Sequence, residues 1–339
     1  MKKALKVFLT LAIITPARPL PVFAGRSVYG ADDRLDYFAA GADMQRLAGS
    51  VVSLWESGKV TRKPGSSAVS LKTVPFGYIY NLCPGEPFRD QPTGAFCSGS
   101  LVGDDMVITA GHCIANEDKC LDTRIIFGFA VTAPGSDAVT KVPQSEVYSC
   151  KKIVQRFLGT EAGANVPVGH DVGTDYALIQ LDRKVLNHPP LQVNRAQQLV
   201  NGTGLVIIGH PAGLPLKVAG NASVRRSFRV GYFTADLDAF CGNSGSPVFN
   251  ASTLLVEGIL TRSGGDFITS PAGCAITATY PQAGGRGEDA TRISVLQSFI
   301  PRLPVEGPAP VDPGANDVTV DISTGAPADI TGRFNLNFQ

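Results

Sequence analysis

Three short segments of the chain combine apolar or glycine-rich sequence with one reactive polar residue. They contain His112 in VITAGHC, Asp175 in TDYALIQL and Ser244 in CGNSGSP. A serine hydroxyl is a weak nucleophile at neutral pH and needs a base beside it. An imidazole can take the hydroxyl proton, and a buried carboxylate can orient that imidazole and stabilise its charged form. The segments therefore predict nucleophilic acyl transfer, with Ser244 as nucleophile, His112 as base and Asp175 as the orienting acid.

The glycines beside Ser244 predict a second part of this chemistry. Attack on a carbonyl creates an oxyanion that needs hydrogen-bond donors already in place. Glycine allows the backbone to turn sharply, so that consecutive N–H groups can point at one spot. We expect the N–H groups of Gly242 and Ser244 to form this oxyanion hole.

Further acids and histidines compete for these roles. Asp171 lies four residues before Asp175, but the apolar run after Asp175 favours burial of Asp175 against the histidine. His170 lies in the same loop as Asp171. His188 precedes two prolines and is typical of a surface position, and His210, in GHPAG, is typical of a turn.

Length and composition limit the class of protein. The chain has 339 residues, of which 44% are hydrophobic and 17% charged, which excludes a disordered protein. Its net charge of +1, from 30 basic and 29 acidic residues, argues against nucleic-acid binding through a basic face. The 37 glycines and 24 prolines indicate many turns.

The pattern of short apolar runs predicts an all-β protein. Runs rich in β-branched and aromatic residues are separated by turn residues. We expect strands at 50–55, 76–80, 124–129, 153–157, 176–181, 205–208, 228–233 and 254–260. Two helices are predicted beside them, one at 43–49 and one at 293–300, where apolar residues recur at helical spacing before Pro301.

The N-terminus resembles a secretory signal. Lys2, Lys3 and Lys6 precede an apolar run at 7–14, and cleavage is expected after Ala24. The apolar run is too short to span a bilayer, although an uncleaved N-terminal anchor is the alternative. We therefore expect a secreted or periplasmic protein whose cysteines form disulfides. The seven cysteines offer no zinc-like spacing, and no metal or cofactor is predicted.

The three segments resemble the signature segments of the chymotrypsin-fold (trypsin-like) serine endopeptidases. Their order of His, Asp and Ser is also that of this family. The segment GNSGSPVF, with Ser246 where animal trypsins have glycine, and RSVYGADDR at 26–34 resemble the bacterial branch that includes glutamyl endopeptidases. The resemblance covers roughly residues 76–303. It implies two packed antiparallel β-barrels, followed by the helix at 293–300, and a site in the cleft between the barrels.

The resemblance also implies a division of the chain. We expect a signal peptide at 1–24, a first barrel at 76–188, a second barrel at 189–303 and a Pro-rich linker and tail at 304–339. Residues 25–75 are either a pro-segment or the first strands. The implied activity is hydrolysis of protein or peptide substrates by a monomer, through an acyl-enzyme and without a cofactor.

Disulfide pairs follow from the resemblance as well. The family bridges cysteines at the spacing of Cys97 and Cys113, beside its histidine. A bridge across the walls of the specificity pocket is expected between Cys241 and Cys274. Cys120 with Cys150 is the third expected pair, which leaves Cys83 single.

Asp238 is the candidate for recognition of basic side chains. It lies six positions before Ser244, where trypsin-like members carry the acid that pairs with Lys or Arg. The alternative is that Asp238 only caps the turn before the nucleophile. Ala239, Thr261 and Ser263 complete the expected pocket.

The sequence departs from strict glutamyl specificity at two positions. Leu260 stands where glutamyl endopeptidases carry a histidine, and Ala239 stands where they carry a threonine. Arg229 and Arg262 could still bind an acidic side chain, so an acidic-residue-specific endopeptidase remains an alternative. A non-enzymatic binding protein on a protease scaffold is also compatible with the sequence, as is an esterase that uses the same triad.

Overall fold

The computed structural model describes residues 26–159, 174–195 and 198–307. The predicted signal at 1–24, the competing residues His170 and Asp171, and the tail beyond residue 307 lie outside this part of the chain. Strands dominate the described residues. No helix among them is long and apolar enough to cross a membrane.

The strands and helices have the following bounds in chain order. The strands are β1 (Val28–Tyr29), β2 (Leu35–Asp36), β3 (Val51–Glu56), β4 (Val60–Arg62), β5 (Ala68–Leu71), β6 (Val74–Pro75), β7 (Pro92–Thr93), β8 (Cys97–Gly103), β9 (Met106–Thr109), β10 (Thr123–Ile126), β11 (Lys141–Pro143), β12 (Val147–Leu158), β13 (Asp175–Leu181), β14 (Gly204–Gly209), β15 (Lys217–Arg226), β16 (Tyr232–Ala235), β17 (Pro247–Asn250), β18 (Val256–Arg262), β19 (Phe267–Thr269), β20 (Ala275–Thr277), β21 (Thr279–Tyr280) and β22 (Glu288–Arg292). The α-helices are α1 (Ala42–Ala48), α2 (Phe76–Ile79) and α3 (Glu117–Leu121). Short 3₁₀ turns occur at Tyr37–Ala39, Ser57–Lys59, Gln144–Glu146, Pro211–Gly213, Ile293–Val295 and Pro304–Glu306.

The first barrel is closed and has the strand order β10-β12-β13-β9-β8-β3. All of its pairings are antiparallel. The position of strand β13 between two cores explains why its sequence is almost continuously apolar. Ala177 and Ile179 pack inside this barrel, whereas Tyr176 and Leu178 pack in the core shared with the second barrel. Both faces of the strand are thus buried.

The second barrel has the order β14-β17-β18-β22-β16-β15, and β15 pairs back onto β14 to close it. Its interior is filled by aliphatic side chains and Phe233. The core between the two barrels includes Ile108 from the first and Phe249 from the second. The prediction of two packed antiparallel β-barrels is confirmed.

Residues 26–56 contribute to both barrels. Strand β3 belongs to the first barrel, and β2 pairs with β15 at the edge of the second. Strand β1 runs parallel to β21, and Ser27 and Val28 are fully buried. In the structure this segment therefore supplies strands, which is one of the two roles considered for residues 25–75.

Three predicted elements differ in the structure. Most of the run expected as a strand at 76–80 forms helix α2 (Phe76–Ile79), in which Phe76 is buried in the core while Tyr78 remains 81% exposed. The strand expected at 228–233 begins only at Tyr232. The predicted C-terminal helix is wrong: β22 extends to Arg292, and the apolar residues that follow form only the 3₁₀ turn Ile293–Val295 before Pro301.

The disulfide pairing corrects one prediction. Cys97–Cys113 and Cys120–Cys150 are bridges in the structure. The expected Cys241–Cys274 bridge is wrong, because Cys274 is bonded to Cys83 and Cys241 is an exposed free thiol. A main-chain contact explains this pairing: Cys83 N donates to Ala275 O at 2.9 Å and places Cys83 beside Cys274.

Candidate active site

His112 and Asp175 meet at one end of the first barrel. Strands β9 and β13 are paired, with Thr109 opposite Ala177, so the turn after β9 lies beside the first residue of β13. Oδ2 of Asp175 lies 2.6 Å from Nδ1 of His112, and Oδ1 accepts the backbone N–H of His112 at 3.1 Å. Asp175 is only 2% exposed, whereas the imidazole is partly open to solvent.

Asp175 is fixed from the second barrel. The hydroxyl of Thr291, in β22, accepts the N–H of Asp175 at 3.0 Å and donates to its carbonyl oxygen at 3.0 Å. Thr291 is fully buried. The second barrel therefore holds the backbone of the acid that contacts the histidine of the first.

Gly111 makes the close approach of Asp175 possible. A β-carbon at this position would lie 2.9 Å from Oδ1 of Asp175 and 2.6 Å from the carbonyl oxygen of Phe157. Arg156 Nε donates to the carbonyl oxygen of Gly111 at 2.8 Å. The glycine before His112 is thus a steric requirement of the site.

The loop that carries Ser244 is anchored to the first barrel. Ser244 lies between Gly242 and Gly245, which have φ angles of 94° and 86°. A β-carbon on Gly245 would lie 2.2 Å from Ser98 O, so a side chain there would collide with β8. The N–H of Ser98 donates to the carbonyl oxygen of Ser244 at 2.9 Å.

The backbone around Ser244 orients two N–H groups. The carbonyl oxygen of Cys241 accepts from Ala212 N, and that of Asn243 accepts from Ser246 N. In a trans peptide the C=O and N–H groups point in opposite directions. The N–H groups of Gly242 and Ser244 therefore point away from these anchors.

The side chains of Ser244 and His112, the predicted nucleophile and base, do not contact each other through a hydrogen bond. In the described part of the chain, no hydrogen bond joins Ser244 Oγ to the His112 ring. Catalytic hydrogen bonds are commonly long in a site without substrate and shorten when substrate binds. Ser244 is half-buried, and its carbonyl oxygen lies 3.7 Å from Sγ of Cys113, the residue after His112.

Asp238 does not lie open at the base of a pocket. Oδ1 accepts the N–H of Tyr29 at 2.7 Å and Oδ2 accepts the N–H of Asp33 at 3.2 Å. Asp238 is 2% exposed, and this burial raises the pKa of its carboxyl group; the neighbouring Asp33 carboxyl raises it further. These contacts join Asp238 to the N-terminal segment. They match neither recognition of a basic side chain nor the expected cap on the turn before Ser244.

The remaining expected pocket residues have different surroundings. Ala239 is fully buried and its N–H donates to Ser27 O at 2.9 Å. The Thr261 hydroxyl donates to Asp289 O at 3.2 Å and is also buried. Ser263 lines a cavity of about 670 Å³ together with Glu288, a residue that no sequence motif singles out.

The remaining histidines among the described residues are engaged elsewhere. His188 stacks on Phe127, with ring centroids 4.2 Å apart, and Nε2 contacts Glu146 at 2.7 Å. His210 directly precedes the 3₁₀ turn Pro211–Gly213, as its sequence context predicts, and is 1% exposed. Burial lowers its pKa to about 4. Among the described residues, neither imidazole ring makes a hydrogen bond to Ser244.

One cluster has the spacing of a metal site but not its chemistry. Ligand atoms of Cys97, His112 and Cys113 lie within 4.8 Å of one another. The two sulfurs are bonded to each other in a disulfide, so they are not the thiolates that bind zinc. The residues present do not fit a metal ion.

The chain is similar to known peptidases over about half of its length. Residues 97–259 match a family model described as "Trypsin-like peptidase domain". A glutamyl endopeptidase of Bacillus licheniformis is 26% identical over 162 residues, which cover 46% of this chain and 46% of that protein. The chain thus matches about half the length of this curated relative. The resemblance to trypsin-like serine peptidases, including the bacterial glutamyl endopeptidases, is confirmed.

Two solved structures are similar over much of the chain. The VesB protease of Vibrio cholerae has a TM-score of 0.43 and 16% identity, and the match covers 79% of this chain and 66% of that one. Neuropsin, a serine protease expressed in mouse brain, has a TM-score of 0.44 and 15% identity, with 75% and 94% covered.

Proposed function

We propose that this protein is a secreted serine endopeptidase that cleaves peptide bonds with His112, Asp175 and Ser244. The observation that carries the proposal is the 2.6 Å contact between Asp175 Oδ2 and His112 Nδ1. The trypsin-like family match at residues 97–259 supports it.

The proposed reaction has two halves. Nε2 of His112 takes the hydroxyl proton while Ser244 Oγ bonds to the substrate carbonyl carbon, and the N–H groups of Gly242 and Ser244 bind the oxyanion. The C–N bond then breaks, and the imidazolium gives its proton to the leaving amine. In the second half, His112 deprotonates a water molecule whose oxygen bonds to the ester carbon. The bond between that carbon and Ser244 Oγ then breaks, the imidazolium returns its proton to Oγ, and the carboxyl product leaves.

The contact with Asp175 determines how His112 can act. A carboxylate at Nδ1 favours the tautomer that carries its proton there, which leaves Nε2 free as the base. The buried carboxylate also stabilises the imidazolium that forms during the reaction. Asp175 itself does not take the proton.

Secretion is supported by the cysteine chemistry and by the predicted signal. The three disulfides Cys83–Cys274, Cys97–Cys113 and Cys120–Cys150 are typical of oxidising compartments. They agree with a protein that leaves the cytoplasm through the signal expected at residues 1–24.

The proposal does not include cleavage after Lys or Arg, nor after acidic residues. The basic preference depended on Asp238, whose oxygens bind the N–H groups of Tyr29 and Asp33. Arg262 was a candidate to bind an acidic side chain of the substrate. In the structure it is paired with Asp289, with Nε 2.9 Å from Oδ2. The type of substrate residue after which the protein cleaves is therefore determined by experiment.

Cleavage profiling tests the proposed function. The purified secreted protein is incubated with a diverse peptide mixture and with denatured protein, and the products are sequenced. We expect cuts that are absent with Ser244→Ala and unchanged with Ser252→Ala, which alters an exposed loop serine. Turnover of simple esters without any peptide cleavage would replace the endopeptidase by an esterase. No turnover of any substrate would favour a binding protein on a protease scaffold.

A further inference from the structure

Ser98 joins the first barrel to the loop of the proposed nucleophile. It is the second residue of β8 and is fully buried. Its hydroxyl donates to Gly242 O at 2.9 Å and accepts the N–H of His210 at 2.9 Å. Its own N–H donates to Ser244 O at 2.9 Å. One side chain and its backbone thus bind the carbonyl groups of both proposed oxyanion-hole residues.

The position of Ser98 is itself fixed. The Thr109 hydroxyl donates to the carbonyl oxygen of Ser98 at 2.7 Å, and Thr109 is fully buried in β9. Cys97, the residue before it, is bridged to Cys113 next to His112. The serine therefore belongs to the same rigid part of the barrel that carries the proposed base.

The hydroxyl adds a constraint that the backbone alone does not provide. The peptide before Gly242 is held through Cys241 O by Ala212 N, and the peptide after it is held through Gly242 O by Ser98. With both peptides held, Gly242 keeps its φ of 94° and its N–H direction. Removing the hydroxyl would release one of these two contacts and leave the buried carbonyl of Gly242 without that donor.

We propose that Ser98 is a positioning residue for the oxyanion hole. Its hydroxyl acts through the hydrogen bond to the carbonyl oxygen of Gly242. This inference rests on the proposed function. Among the described residues, the Ser98 hydroxyl bonds to Gly242 O and His210 N rather than to the side chain of Ser244 or His112. It sets the direction of an N–H group that binds the developing charge, so its effect falls on the transition state more than on substrate binding.

The test compares Ser98→Ala with a matched control from the same strand. Ser100 is also fully buried in β8, and its hydroxyl has no hydrogen-bond partner among the described residues. We expect Ser98→Ala to lower kcat on a cleaved peptide about 10-fold, with KM changed by less than about 2-fold. Ser100→Ala should stay within about 2-fold of wild type in both constants.

A second pair of variants separates the effect of the Ser98 hydroxyl on kcat from the effect of side-chain packing. Ser98→Thr and Ser98→Val introduce side chains of the same shape that differ in the hydroxyl. We expect Ser98→Thr to have about 10-fold higher kcat than Ser98→Val, even if both lose stability. The affinity of a peptide aldehyde, which forms an oxyanion-like adduct, should follow the same order.

The two ways in which the test can fail are distinguishable. If wild type cleaves no peptide, the proposed function fails and the Ser98 role fails with it. If wild type is active but Ser98→Ala keeps wild-type kcat, or Ser100→Ala loses as much, only the Ser98 proposal is overturned. Equal kcat in the Thr and Val variants would overturn it as well.

Discussion

Asp175 holds His112 at two points, through the backbone N–H at 3.1 Å and through ring Nδ1 at 2.6 Å. The first contact fixes the turn that carries the histidine, and the second fixes the direction of its ring. Because Thr291 binds the backbone of Asp175 from β22, this pair is positioned by both barrels.

Asp175→Asn should lower kcat by about 10⁴, because an amide can favour the wrong imidazole tautomer and cannot stabilise the imidazolium. The thermal midpoint and kcat are measured on the same preparations. Asp182→Asn is the control, since Asp182 is an exposed acid paired with Arg183 on the surface. Activity within 10-fold of wild type in Asp175→Asn would contradict the assigned role.

Gly111→Ala should destabilise the protein by about 1–3 kcal/mol and reduce activity, because its β-carbon would overlap Asp175 and two carbonyl oxygens. Gly58→Ala is the matched control, since an added β-carbon there meets no atom within 4 Å. Denaturant unfolding and peptide cleavage provide the two measurements. Unchanged stability and activity in Gly111→Ala would show that the close approach of Asp175 is not required.

Peptide mapping should find Cys83 linked to Cys274 and a single alkylated thiol at Cys241. The protein is alkylated without reduction, digested and analysed by mass spectrometry. Cys241→Ser should leave all three disulfides intact. A peptide that links Cys241 to Cys274 would contradict the pairing in the structure.

Glu288 should make stability depend on pH. Burial raises the pKa of Glu288 from its ordinary value to about 8, so the folded protein keeps a proton that the unfolded chain has lost. Stability is therefore greatest below the unfolded pKa and falls as pH rises towards 8, by at most about 1.4 kcal/mol per pH unit.

Glu288→Gln isolates this contribution. The amide oxygen can still accept the Tyr29 hydroxyl, which lies 3.0 Å from Oε1 of Glu288. Unfolding is measured between pH 5 and pH 8 for wild type, Glu288→Gln and Asp137→Asn, which changes an exposed acid. We expect a flatter profile only for Glu288→Gln. A profile parallel to that of wild type would show that Glu288 is charged throughout this range.

The sequence predicted those features that depend on local patterns. Short apolar runs predicted most barrel strands, and β13 is a clear example because both of its faces are buried. The motifs predicted His112 and Asp175 as partners, and the structure places them in contact. Helix α2 was missed because the run at 76–80 has strand-like residue types, while tertiary packing buries only one side of it.

Features that depend on distant contacts could not be predicted. The separation of Cys83 and Cys274 by 191 positions gives no local signal. The role of Asp238 depends on β1 and the turn after it, which reach it from more than 200 positions away. Ser98 has no motif of its own, and its contacts with Gly242 and His210 exist only because the barrels pack together.

Covalent labelling with a fluorophosphonate tests the central claim most directly, because this reagent reacts with a serine that has an activated hydroxyl and an oxyanion hole. Wild type and the His112→Ala variant are treated in parallel, and the modified residue and the rate are determined by mass spectrometry. The structure predicts a single adduct on Ser244 that forms at least about 10³-fold more slowly in His112→Ala. An adduct on another residue, or equal rates in the two proteins, would contradict a triad of His112, Asp175 and Ser244.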